Sequence, residues 1–280
     1  MAVSLDRVLG LVRAGRFQRS LSVVAGVSSL LSGLEVTYEH YRGSYSQRVM
    51  YSPVVISLAL FLAGLLGAVN RGAARTVLPL TSLVVLLDGV TGFVFHVRGV
   101  QRKPGGWRLP VFNVIMGPPV FAPLLFATSG YLGLLASLLR REDDPLIQPP
   151  GTADSVTWLR AISPAAARAN VLLEGDVHAG RFQRHLAAVA AVAALLSGLE
   201  SLYSHYKNNF RYRAQWTPIF LTPCIVAGGI GAIWSPTIAR TLLPAASVAA
   251  LADGGIGFFY HARGVLRRPG GRKYLLYNLM

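Results

Sequence analysis

The chain has 280 residues, of which 52% are hydrophobic and only 14% charged, with a formal net charge of +15. Soluble domains carry about a quarter charged residues; here the charges gather in clusters between long apolar gaps, which excludes an ordinary soluble enzyme and leaves no soluble domain for nucleic-acid binding. The single cysteine, Cys224, excludes an internal disulfide framework.

In chain order, Arg7, Arg13, Arg16 and Arg19 precede an apolar stretch of span length with no small-residue cleavage site after it, unlike a cleaved signal peptide. Residues 4–14 predict a short interfacial helix. A helix needs about 20 mostly apolar residues to cross a lipid core about 30 Å thick at about 1.5 Å per residue. Residues 49–70, 109–139 and 214–239 contain no charge and are each long enough. Four further stretches are apolar apart from a few acids and histidines. Seven spans are therefore predicted, near 21–41, 52–70, 75–98, 114–139, 185–206, 216–236 and 240–263. The fold class is all-α, a polytopic membrane helix bundle.

Residues 15–113 align with 180–278 at a constant offset of 165 and without a gap. GRFQR at 15–19 returns at 180–184, LLSGLE at 30–35 returns at 195–200, and Pro53, Arg75 and Pro79 match Pro218, Arg240 and Pro244. Such self-similarity marks an internal duplication. Four spans in the first copy would return the chain to its starting side, so the copies are expected to be parallel repeats. The organisation reads as a first membrane repeat over 1–140, a polar extramembrane linker over 141–179, and a second repeat over 180–280 in which the fourth span has no counterpart. The linker holds Glu142, Asp143, Asp144, Asp154, Glu174 and Asp176, and a short helix is expected around 163–173.

Lys and Arg divide almost evenly between the two membrane sides, so the positive-inside rule sets no orientation. The loops opposite the N-terminal side, RGSYSQR, RGVQRKPGGWR, KNNFRYR and RGVLRRPGGRK, carry basic residues and no acid. They suit anionic lipid headgroups, worth about 1 kcal/mol per basic residue, or the carboxylates of a cofactor or a partner subunit. The expected setting is the lipid bilayer of a bacterial cytoplasmic membrane.

The polar residues present in both copies form a short set. Span one supplies Glu35/Glu200, Tyr38/Tyr203 and His40/His205; span three supplies Asp88/Asp253, His96/His261 and Arg98/Arg263. An unpaired ionisable group in lipid costs several kcal/mol, so such residues face the protein interior or a wet cavity. Asp88, Gly92 and His96, spaced by four, share one helical face. Glu35 and His40 are five apart, about 140° around a helix, so one compact Glu-His-Asp-His metal set requires a bend. A bis-histidine haem b fits better. His40 with His96, and His205 with His261, end at matched depth, while Arg98, Arg102 and Lys103, or Arg263, Arg267 and Arg268, follow to pair with propionates.

Three functions are consistent with this pattern. The first is a membrane anchor and electron-transfer subunit of a larger complex, with haem b at one or both repeat sites. The second is a structural or assembly subunit without a cofactor. The third is a small transporter or proton-conducting subunit using the intramembrane acids. No catalytic motif points to an enzyme acting alone.

Overall fold

The computed structural model describes residues 5–143, 163–179, 181–275 and 278. They are helical, with no strand among them. The helices are α1 (Leu5–Arg13), α2 (Gln18–Arg42), α3 (Ser52–Val69), α4 (Arg71–Arg75), α5 (Val77–Gln101), α6 (Pro110–Ile115), α7 (Ala122–Leu138), α8 (Pro164–His178), α9 (Gln183–Lys207), α10 (Thr217–Trp234), α11 (Pro236–Arg240) and α12 (Leu242–Leu266). α1 occupies the expected interfacial segment, and α8 the expected linker helix, extended to His178. The linker residues between 143 and 163, with Asp144 and Asp154, lie outside the described residues.

Six helical stretches are long and apolar enough to cross a membrane: Gln18–Arg42, Arg48–Val69, Arg71–Gln101, Gln183–Lys207, Arg213–Trp234 and Pro236–Leu266. Their outward side chains are those lipid would solvate. Leu251, Phe258 and Trp234 are 79%, 77% and 74% exposed, and apolar area on that scale is costly in water.

The predicted fourth span, 114–139, differs. It is a six-residue helix, α6, a break over 116–121, and the 17-residue apolar α7, about 26 Å long. Pro118 and Pro119 have no N–H to donate, and proline biases the residue before it away from helix. Pro123 falls in the first turn of α7, where a missing N–H is tolerated.

Element bounds recur at the offset seen in the sequence. α2, α3, α4 and α5 correspond to α9, α10, α11 and α12, each with both ends shifted by 165. The left-handed pair Ser44 and Tyr45 corresponds to Asn209 and Phe210. Gly105 and Gly106, at φ +80° and +46°, correspond to Gly270 and Gly271; these turns need φ values that only glycine adopts cheaply.

Backbone contacts divide the chain into two compact units: Met1–Gly33 with Ser52–Asp88 and Phe126–Arg184, and Leu34–Tyr51 with Gly89–Leu125 and His185–Met280. The first unit is built on close backbone approach. A Cβ on Gly64 would lie 3.0 Å from the Gly26 Cα, and one on Gly130 would lie 2.6 Å from Ser82 O and 2.7 Å from Leu86 N. Small residues permit such approach, which is how helices gain attraction in lipid. Leu60, Leu78, Val85, Leu135 and Phe126 fill the core. At one end Arg141, only 4% exposed, donates to the Gly67 carbonyl at 2.9 Å, which also accepts from Gln18 Nε2 at 3.3 Å. A cation at the C-terminal carbonyls of α3 answers both the orphan acceptors and the helix dipole.

In the linker region, Arg140 Nε donates to His178 Nδ1 at 3.0 Å, so this nitrogen must be bare. Burial, then the Arg140 charge, holds the His178 pKa below its ordinary value, with Glu174 opposing. Because the fold favours the neutral ring, this contribution is complete above the ordinary histidine range, near about 6.5. It is lost as pH falls from there toward the lowered value.

In the second unit, Asn113 Nδ2 donates to Pro104 O at 3.0 Å and Gly106 O at 2.7 Å. Asn278 Nδ2 likewise donates to Pro269 O at 3.3 Å and Gly271 O at 3.1 Å. Each asparagine closes one Pro-Gly-Gly turn.

Two predictions follow from packing and charge. Gly130→Ala should destabilise the chain in detergent by about 1–3 kcal/mol through overpacking, whereas Gly254→Ala, where a Cβ meets open space, should leave the melting temperature no lower. Melting between pH 8 and pH 5 should show a loss of stability below about pH 6.5 that is smaller in His178→Gln than in the parent chain.

Candidate functional site

Asp88, Asp253 and Glu200 are engaged by groups of three kinds. Asp88 Oδ1 accepts from the Ser52 hydroxyl at 2.7 Å, and Asp253 Oδ1 from Thr217 at 2.5 Å. Each pair joins the start of one helix to the middle of the next, at equivalent positions. Glu200 does something different: its Oε1 accepts from the backbone N–H groups of Phe121 and Ala122 at 2.9 and 3.0 Å, and its Oε2 from the Tyr203 hydroxyl at 2.6 Å. The carboxylate therefore caps the N-terminus of α7, where orphan donors and the positive end of the helix dipole favour an anion. Glu35, its first-copy counterpart, is exposed and accepts no hydrogen bond among the described residues. It lies within electrostatic reach of Glu200 and Glu39.

The histidines of the first copy are both tied through Nδ1. His40 Nδ1 donates to Met50 O at 2.8 Å and His96 Nδ1 to Pro119 O at 2.6 Å. A carbonyl can only accept, so each Nδ1 carries hydrogen and each Nε2 is left with its lone pair when the ring is neutral.

The second copy is less complete. His205 Nδ1 is buried beside the Gln215 backbone, the counterpart of Met50, but falls short of hydrogen-bond geometry. His261 is exposed, although it too lies within electrostatic reach of its span-one partner. The carbonyl that holds His96 comes from the segment before α7, which has no counterpart among the described residues of the second copy.

The remaining predicted positions lie at the edges. Tyr38 and Tyr203 carry the cations Arg42 and Lys207 over their rings at 5.6 and 5.3 Å. Arg98, Arg102, Arg263 and Arg267 are exposed. Among the described residues no three His, Cys, Asp or Glu side chains converge as a metal-ligand set. An open groove of about 530 Å³, lined by Arg108, Leu109, Phe112, Met116 and Tyr206 among others, includes none of these histidines.

Several partners escaped sequence reasoning. Ser52 and Thr217 are a hydroxyl retained at equivalent positions, a signal present in the alignment of the two copies. Pro119 O and the amides of Phe121 and Ala122 are backbone groups, which leave no trace in side-chain identity.

No protein-family model matches the chain, and no curated protein or solved structure matches it either.

Glu200→Ala should lower stability in detergent by about 1–2 kcal/mol, the scale of a lost helix cap, because it strips the acceptor from two amides. Glu35→Ala in the chain alone should change it far less. Paired thermal or denaturant unfolding of the two variants measures the difference.

Proposed function

We propose that this chain is an integral-membrane subunit of a larger complex, a bundle of seven spans in two parallel copies, and that it binds haem b at His40 and His96. One observation carries the haem reading: both Nδ1–H groups are committed to backbone carbonyls, which leaves both Nε2 lone pairs available as ligands. Metal-ligating histidines commonly carry this kind of outer hydrogen bond, since it fixes ring orientation and raises ligand basicity. Two imidazoles fill both axial positions of a haem, which suits one-electron transfer rather than oxygen activation. Arg98 and Arg102, exposed beyond His96, would pair with propionates. The first copy is the favoured site because, among the described residues, neither His205 nor His261 has an equivalent tether.

A cofactor-free structural subunit is the second reading. It is favoured by the fact that Asp88, Asp253, Glu200, His40 and His96 all have partners inside the protein. In that case the ties themselves are the reason these residues are present.

An absorption spectrum of the purified chain separates the two. Haem b gives a Soret band that shifts on reduction, and His96→Ala should lose it while His261→Ala keeps it. A chain expressed with haem available that shows no such band, or a band retained in both His40→Ala and His96→Ala, would refute the haem assignment.

A further inference from the structure

The segment between α5 and α7 does more than deliver Pro119 O and two amides to their partners. Gly105 and Gly106, both in the left-handed region, turn the chain just beyond the end of α5. Asn113, fully buried, then ties α6 to that turn through Pro104 O and Gly106 O. With Asn113 turned inward, Leu109, Val111, Phe112 and Met116 are left exposed, Val111 at 72% and Phe112 at 61%. They line the groove of about 530 Å³ that Arg108 and Tyr206 also border. Sites for small ligands run to about 300–1,000 Å³. The asparagine bonds hold this one in shape before anything enters, which lowers the cost of binding.

Arg108 is the one charged residue of that lining. Its guanidinium forms no ion pair among the described residues. No Asp or Glu occurs over 89–141, which carries α6, or over 201–252, which carries Tyr206. Trp107 and Tyr206 are exposed, and such aromatics favour the headgroup level of a bilayer. The groove therefore joins an apolar floor to a cation at its rim, at headgroup height. That is the complement of an amphiphile with an acidic head. A soluble anion would leave the floor uncovered, and a zwitterionic headgroup would bring a second cation to Arg108. An apolar helix of another protein would leave the guanidinium without an acceptor.

We infer that this groove binds one anionic phospholipid, its phosphate on Arg108 and one acyl chain along Leu109, Phe112 and Met116. The inference rests on the chain lying in a bilayer and not on haem. Arg108 is not among the residues read as propionate partners, so a chain without a Soret band still holds the lipid.

The test reconstitutes the full chain in nanodiscs of phosphatidylcholine and phosphatidylglycerol in equal amounts, extracts it in mild detergent, and counts bound lipid by native mass spectrometry. One phosphatidylglycerol per chain should survive extraction. Arg108→Gln should reduce that occupancy about fivefold, the scale of one basic residue at an anionic headgroup. Arg213→Gln, exposed on the same side but outside the groove, should leave it unchanged. Met116→Trp fills the groove and should displace the lipid, while its melting temperature matches the parent because the position is exposed. No retained lipid, equal retention of phosphatidylcholine, equal loss in Arg108→Gln and Arg213→Gln, or retention indifferent to Met116→Trp would overturn the inference.

Discussion

Hydrocarbon supplies no hydrogen bonds, so every polar group inside a span must be satisfied by the protein itself. That constraint organises this molecule. Asp88 and Asp253 take a hydroxyl from the helix before them, Glu200 takes the two amides that open α7, and His40 and His96 take backbone carbonyls. Helices then come close enough for these bonds because glycines line the contacts, as at Gly64 against Gly26 and Gly92 against Pro123. The polar ties and the small-residue seams are two sides of one arrangement.

Positions 165 apart carry similar residues in helices of matching bounds, but not the same surroundings. Ser52–Asp88 recurs as Thr217–Asp253, whereas the bond from His40 to Met50 O does not recur at His205. Where the partner comes from the segment leading into α7, no counterpart of it lies among the described residues. His96 has its carbonyl and His261 is exposed; Glu200 has its helix terminus, and Glu35 has none among the described residues. Among the described residues the first stretch presents two tethered imidazoles, whereas His205 Nδ1 has no hydrogen-bond partner and His261 is exposed.

Much of the fold was legible because apolar run length and the offset of 165 are direct properties of the sequence. The six long apolar helices fall where they were expected, within a few residues at each end. The fourth predicted span was read too long, since an uncharged stretch is not always one helix: Pro118 and Pro119 break it, and the helix begins only at Ala122. The site was half legible. Asp88, placed on a span by the sequence, ties α5 to α3 through Ser52. The acceptor at Pro119 and the donors at Phe121 and Ala122 are backbone atoms, and Glu200 reaches them across 78 or 79 positions of chain, a distance over which side-chain periodicity carries no information.

Ser82 of α5 is fully buried, whereas Ser247, its counterpart on α12, is exposed. This contrast can be measured directly by introducing Ser82→Cys or Ser247→Cys in a Cys224→Ser background and labelling the chain, without partners, using a membrane-permeant maleimide in nanodiscs. It predicts rapid labelling at position 247 and protection at position 82. Equal labelling, or protection at both positions, would contradict it.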